Sequence, residues 1–352
     1  MLWICKPFQE FLHQHANEWE YLNSTFCNSH PLLDLKFITP LLEYFGHNKV
    51  YGLMGTTNDG QPVIACFAEP SGYGRWRLFM PSQAAICPII SDTETFAHSG
   101  VQCIKGLLQA LPSRAWMLGL EKVDPMYSNF LATQPQCSKL IETLPCSITT
   151  SINAETSFDI YWNNRSRKIR KSVNSIMNRI ASEYDSCELK EIRVRDAIVD
   201  AVRDYGDIES LGWKASIGTA IHLNNVQGEF YSEMMRNFAE EGGACAYQLI
   251  LGNKIAASLL TVQQNGMLVV LKTTYDESLA KFSPGRIIDY LSLQSQFSDQ
   301  KIRVIENYTN ASENEIRWVT DTRSIVNLNF YPSWSIKLLT SMYHRIHAQF
   351  WR

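Results

Sequence analysis

Three apolar runs, Cys245 to Leu251, Ile255 to Gln263 and Met267 to Tyr275, follow one another, separated only by Gly252-Asn253-Lys254 and Gln264-Asn265-Gly266. Connections this short join antiparallel strands; a parallel return needs a dozen residues or more. The segment reads as an antiparallel meander. Asp276 to Ser283 then reads as a loop, and Pro284-Gly285 leads into a helix predicted from Arg286 to about Phe297. Arg303 to Glu306 is the next strand. Meander, helix and returning strand together predict an α/β (α+β) class: a mixed, mostly antiparallel sheet flanked by helices.

A chain of 352 residues is long enough for two cores. Its first part mixes helices and strands too. Phe8 to Asn23 and Pro31 to Phe45 carry helical apolar faces. Val50 to Met54 and Pro62 to Ala68 flank the turn signal Thr57-Asn58-Asp59-Gly60, and Arg75 to Met80 is a third strand. A helix over His98 to Leu111 and a strand over Ala115 to Leu120 follow. Ser151 to Phe158 is polar and unpatterned, which sets a domain boundary there: 1–150 and 151–352. Past it, a basic helix opens at Asn163 to Lys171 and runs to about Glu183, with Ile169, Val173, Ile176 and Ile180 as its buried stripe. A strand at Glu188 to Val194 and helices at Asp196 to Leu211 and Val226 to Glu241 precede the meander. Trp334 to Phe350 is the closing helix.

Hydrophobic residues make up 45% and the net charge is −3, which argues for packed domains and against a global electrostatic affinity for nucleic acid, DNA included, or membrane, while leaving room for a local basic patch. The start, MLWICKPFQEF, lacks a signal-peptide plan, and no window reaches the length of a membrane span. The expectation is a soluble, cytoplasmic protein. Nine cysteines, an odd and widely spaced set with no Cys-x-x-Cys, predict reduced thiols and no metal. No Gly-x-Ser-x-Gly elbow, Walker loop or dinucleotide fingerprint is present.

The Pro-Gly helix start is the one segment with a chemical implication. Gly285 lets backbone N–H groups approach a ligand, the first turn of a helix carries partial positive charge, and Arg286 adds a full one. Such a start suits a pyrophosphate, and it equally suits a plain structural cap.

Several segments resemble one family. They are Asn28-Ser29-His30-Pro31-Leu32-Leu33-Asp34-Leu35-Lys36-Phe37, the basic helix from Arg165 to Arg179, Glu209-Ser210-Leu211-Gly212-Trp213-Lys214 with Gly218-Thr219-Ala220, and the hairpin Leu249 to Leu260. The most specific is Lys272-Thr273-Thr274-Tyr275-Asp276 followed by Ser283-Pro284-Gly285. In order and spacing the chain is similar to GNAT-type acyltransferases, in a branch described as cellulose-biosynthesis-protein-like and related in fold to the Fem peptidyltransferases.

The resemblance implies two GNAT-like domains. The first would be degenerate, since no Pro-Gly helix start follows its strands. The second would bind acyl-CoA, most simply acetyl-CoA, with the pantetheine along the strand at Leu271, Lys272 and Thr273. The pyrophosphate would sit at Ser283, Pro284, Gly285, Arg286 and Ile287. The usual loop has two or three glycines and only Gly285 stands here, which leaves an acyl-carrier protein or tRNA as other donors. Transfer to an amine needs a base, an oxyanion site and an acid for the thiolate. Asp276 and Glu306 are the candidate bases, Tyr308 and Tyr275 the candidate acids, and the N–H groups of Leu271 and Lys272 the oxyanion donors. Glu209, Trp213 and Lys214 are candidates for the acceptor side. Arg165, Arg167, Lys168, Arg170, Lys171 and Arg179 form either a solvated helix face or a site for an anion. The implied activity is N-acyl transfer to an amine such as an amino sugar or another envelope or polysaccharide precursor. An aminoacyl-tRNA-dependent, Fem-like transferase and a non-catalytic acyl-CoA-binding protein stand as alternatives.

Overall fold

The computed structural model describes residues 1–128, 139–211, 221–222 and 225–340. In chain order the elements are β1 (Leu2–Pro7), α1 (Phe8–Phe26), α2 (Leu35–Phe45), β2 (Tyr51–Thr56), β3 (Pro62–Gly72), β4 (Arg75–Leu78), β5 (Ile89–Ser91), α3 (Thr93–Ala110) and β6 (Met117–Val123). Next come β7 (Ile141–Asn153), α4 (Phe158–Asn163), α5 (Arg167–Glu183), β8 (Cys187–Ile192), α6 (Arg195–Leu211) and α7 (Val226–Ala239). The last are β9 (Ala244–Leu251), β10 (Lys254–Gln264), β11 (Met267–Tyr275), α8 (Pro284–Ser298), β12 (Val304–Asn307), α9 (Glu313–Ile316) and β13 (Asp321–Phe330). Two compact units result: Met1–Ile148 with the chain from Ser324, and Thr149–Arg323. The chain from Ser324 thus returns to the first unit. The part of the closing helix beyond residue 340, and Trp213 and Lys214, lie outside the described residues.

The second unit is built on the meander. β9, β10 and β11 pair antiparallel, with β8 outside β9. Both tight turns use left-handed backbone, Gly252 at φ +59° and Asn265-Gly266 at +45° and +85°. Positive φ at both central residues, as in Asn265-Gly266, or at the first alone, as in Gly252-Asn253, matches the right-handed twist of the flanking strands. β12 lies parallel to β11, and the end of β7 runs antiparallel to β12. α5 and α8 cover one face. The stripe Val173, Ile176 and Ile180 meets Phe282, Ile287 and Ile288 there, over Tyr247, Leu249 and Leu259.

The first unit is also a mostly antiparallel sheet, in the order β1-β2-β3-β4-β6-β13, with β5 on β3. Its core gathers Leu53, Ile64, Trp76, Ile104, Leu118 and Phe330. It repeats the plan of the second unit: an antiparallel meander β2-β3-β4, a helix α3, and a return strand β6 parallel to β4.

Four strands, β1, β5, β7 and β13, were not foreseen. The polar stretch beginning at Ser151 is the end of β7. Thr149, Thr150 and Ser151 are buried there, and the Thr149 hydroxyl donates to the Asn307 carbonyl at 2.7 Å. Polar residues on a strand buried among hydrogen bonds hide the alternation that marks a strand in sequence. The expected loop from Asp276 to Ser283 is a 3-10 turn, Glu277–Phe282.

Phe282 anchors this turn beneath the start of α8. It is fully buried and meets Tyr184 edge-on at 5.2 Å. Phe282→Ala is expected to cost the second unit about 3–5 kcal/mol in urea unfolding. A loss below about 1 kcal/mol would show that the entry to α8 does not depend on this anchor.

Candidate functional site

The two central strands of the second unit part company. β11 pairs with β12 at only three positions, Met267↔Val304, Leu268↔Ile305 and Val269↔Glu306. β11 then continues to Tyr275 on β10 alone. The departure coincides with a bulge: Leu260 faces Lys272 and Thr261 faces Val270, so Leu271 has no register partner in β10. A bulge bends its strand and raises its twist, which turns β11 away from β12. Among the described residues no strand pairs with β11 on that side beyond Val269.

Glu306 closes the narrow end of this gap. Its side chain is 1% exposed, and Arg323 grips both carboxylate oxygens, Nη1 to Oε1 at 3.1 Å and Nη2 to Oε2 at 2.9 Å. The same Nη2 donates to the Tyr308 hydroxyl at 3.1 Å, and the guanidinium lies 5.5 Å from the Tyr308 ring centroid. The Glu306 carboxylate therefore holds a cation in place. The Tyr308 oxygen accepts from Arg323, and a phenol that accepts through its oxygen still carries its own O–H donor.

The start of α8 forms the second component. Ser283 caps it in a left-handed conformation, φ 47° and ψ 54°, without a side-chain cap hydrogen bond. A non-glycine residue held in that region costs of order 1–3 kcal/mol and persists only where surrounding structure enforces it. Pro284 has no N–H. Those of Arg286 and Ile287 go to the Ser283 carbonyl, at 3.0 and 3.3 Å. The Gly285 N–H has no acceptor among the described residues. The first turn contains no acid, and Arg286 stands at its edge, donating to Ser172 of α5 at 2.8 Å. A Cβ on Gly285 would meet Tyr275 Cδ1 at 3.4 Å, so the Tyr275 ring walls this turn and alanine fits there. Ile287 is buried and can offer a ligand no side chain.

Asp276, the other candidate base, lies just after β11. Its carboxylate caps the 3-10 turn by accepting from the Ser278 N–H at 2.8 Å. Thr273 is half-buried on β11. The Lys272 ammonium lies 5.9 Å from the Tyr231 ring centroid on α7. Glu209, at the end of α6, is buried and accepts from the Tyr205 hydroxyl at 3.3 Å and the Ile221 N–H at 2.8 Å. Burial, reinforced by the Glu209 charge, pushes the phenols of Tyr205 and Tyr231 up, so both stay protonated. Burial also pushes the Cys245 thiol on β9 up to about 11, which leaves it a poor nucleophile. No cluster of three or more metal-ligating side chains occurs among the described residues.

The first unit shows the same plan with both components filled. β4 pairs with β6 at three positions, ending at Arg77↔Gly119. Beyond it the chain itself occupies the β6 edge: the Cys87 N–H donates to the Lys122 carbonyl at 3.1 Å, and Lys122 Nζ donates to the Ala84 carbonyl at 3.1 Å. The helix start is occupied as well. Asp92 caps α3, accepting from the Glu94 N–H at 3.0 Å and the Thr95 hydroxyl at 2.5 Å, and Glu94 stands in the first turn. Two carboxylates there repel an anion.

Arg323, Tyr205 and Tyr231 were absent from the sequence-based candidates. Arg323 lies on β13, which carries no strand signal strong enough to bring it beside Glu306 in advance. Arg323→Met would leave the Glu306 carboxylate buried without its counter-charge, at an expected cost of about 3–5 kcal/mol. Adding Glu306→Leu should restore most of that in a double-mutant cycle of unfolding free energies. Additive costs would show that the pair is not coupled.

Residues 167–313 match the family described as Acetyltransferase (GNAT) domain. No curated protein matches the chain. Among solved structures, FemX is similar over 94% of this chain and 97% of its own, at 9% identity and a TM-score of 0.61. A conserved protein of unknown function from Bacteroides thetaiotaomicron covers 85% of this chain and 90% of its own, at 10% identity and a TM-score of 0.55. L-PGS from Bacillus licheniformis covers 88% and 96%, at 12% identity and a TM-score of 0.50. The chain has a GNAT-type fold shared with FemX, and residues 167–313 match the GNAT domain family.

Proposed function

We propose that the second unit is an N-acyltransferase that moves an acyl group, most simply acetyl, from acyl-CoA to an amine. The carrying observation is the gap that opens between β11 and β12 beyond Val269↔Glu306, in a unit whose next helix start is free of acid. A pantetheine arm has amide donors and acceptors that suit the unpaired edge of β11 from Val270 to Tyr275. The Gly285 N–H, the Ser283 hydroxyl and Arg286 suit a pyrophosphate. Acyl-CoA supplies the activated thioester.

The remaining chemistry falls to the chain. The Leu271 N–H, out of register with β10, serves as oxyanion donor together with that of Lys272. Tyr308 gives its proton to the departing thiolate and recovers one from the amine, so protons balance over the cycle. Arg323 stabilises the phenolate between these transfers, and Glu306 positions Arg323. Tyr275 shapes the wall beside Gly285, and Asp276 keeps to its cap. Glu209 and Lys272, with Tyr205 and Tyr231, border the acceptor side. The resemblance to the cellulose-biosynthesis-protein-like branch directs the acceptor toward amino sugars or other envelope precursors.

A second reading has an observation of its own. Arg167, Lys168, Lys171 and Arg179 are exposed on α5, whose Ser172 touches Arg286. Such a row beside the helix start also suits a tRNA-borne acyl donor, as in the Fem-like alternative.

Thermal unfolding separates the two. Acetyl-CoA at about 100 times its Kd should add about 2.7 kcal/mol. Gly285→Asp should abolish the shift and Gly285→Ala retain it. A shift from aminoacyl-tRNA alone would favour the second reading, and an unchanged shift in Gly285→Asp would overturn the pyrophosphate placement. Tyr308→Phe should lower kcat about a hundredfold with KM unchanged.

A further inference from the structure

The first unit, closed at its own helix start, carries a different concavity. A groove of about 1020 Å³ lies between the end of α3, the loop from Leu111 to Trp116, the β3–β4 turn and the segment from Pro332 to Ile336. Its apolar lining includes Leu108, Leu111, Trp116 and Ile336. It is rigidly framed. The Trp116 indole N–H donates to the Tyr73 carbonyl at 2.6 Å, and the Trp76 indole N–H donates to the Ser113 hydroxyl at 3.3 Å. Gly74, at φ +60°, admits the Trp116 ring where any Cβ would lie 2.2 Å from its Cδ1.

The charge on this groove has one sign. Lys105 and Arg114 line it, Arg75 stands one residue past Gly74, and no carboxylate is among the lining residues. All three cations are exposed, and none forms an ion pair among the described residues. Large apolar side chains stand out beside them. Tyr73 at the tip of the turn is 99% exposed. The helical run 334–340, whose Ile336 lines the groove, presents Trp334 at 62%, Leu338 at 49% and Leu339 at 67% exposure. Scattered exposed apolar residues need no explanation, whereas aromatic and leucine side chains grouped with unpaired cations have the composition of an interfacial anchor.

We propose that this face of the first unit docks on an anionic bilayer surface. Trp334, Leu338, Leu339 and Tyr73 enter the headgroup boundary, and Lys105, Arg114 and Arg75 meet lipid phosphates at the groove. A bilayer fits better than a single soluble anion, because phosphate alone would leave the leucines and Trp334 in water. No helix among the described residues is long and apolar enough to cross a membrane, so the attachment is peripheral. This inference is independent of acyl transfer by the second unit.

Co-sedimentation of the full chain with vesicles tests it, using phosphatidylcholine alone and phosphatidylcholine with phosphatidylglycerol in equal parts. The expected result is binding to the anionic vesicles only, weakened by added salt. Lys105→Glu with Arg114→Glu should reduce it roughly thirtyfold or more, since each cation near such a surface contributes about a fivefold factor. Leu338→Asp with Leu339→Asp should reduce it as well, while both double variants keep the wild-type melting temperature. Equal binding to neutral vesicles, no binding to either, or binding indifferent to the Lys105 and Arg114 reversals would overturn the proposal. So would a dimer by light scattering that the Leu338/Leu339 variant dissociates, since a second copy would then cover this face.

Discussion

The parting of β11 from β12 is the feature on which the rest of the second unit depends. A sheet normally satisfies its backbone by continuing its ladders, and an unpaired interior edge is a cost that must be held open. Three devices hold it open here. The Leu271 bulge turns β11 aside. The Glu306–Arg323 pair locks the last paired position of β12 and carries Arg323 to Tyr308. The buried turn at Phe282 then delivers the chain into α8 through a left-handed Ser283, leaving the first turn without a capping side chain. Each device is local, and together they leave a gap between two strands, with Arg323 and Tyr308 beside its narrow end and the start of α8 beside Tyr275 at the far end of β11.

The first unit shows what the same plan becomes when these devices are absent. Its return strand is just as short of partners after Gly119, yet the loop through Ala84 and Cys87 bonds to Lys122 and fills the edge. Its helix start is capped by Asp92 with Glu94 behind it, an ordinary stabilising arrangement that excludes phosphate. One unit thus spends its backbone and dipole on its own stability while the other leaves them available. This contrast rests on hydrogen bonds within each unit and supports assigning acyl transfer to the second.

Much of this frame was legible in the sequence. The meander could be read because Gly252 and Asn265-Gly266 are turn residues with a mechanism, and α5 because four β-branched residues keep a helical period. Pro284-Gly285 marked the start of α8 for the same reason. What escaped reading was long-range or unusual in conformation. Arg323 reaches Glu306 only through β13, whose Asp321 to Ser324 start is polar. β7 hides behind buried threonines that bond to distant carbonyls. Ser283 gives no hint of a left-handed backbone, since serine seldom adopts it. The bulge at Leu271 is a mismatch between two strands and has no signature in either alone.

Hydrogen exchange of the full chain with and without acetyl-CoA tests the central claim most directly, because it reads the backbone donors themselves. The expected result is slowed exchange confined to peptides covering Val270 to Tyr275 and Ser283 to Ile287, with the peptides spanning Ala84 to Thr95 of the first unit unchanged. Slowed exchange at Ala84 to Thr95, or none at β11, would contradict the assignment of the open strand gap as the acyl-donor site.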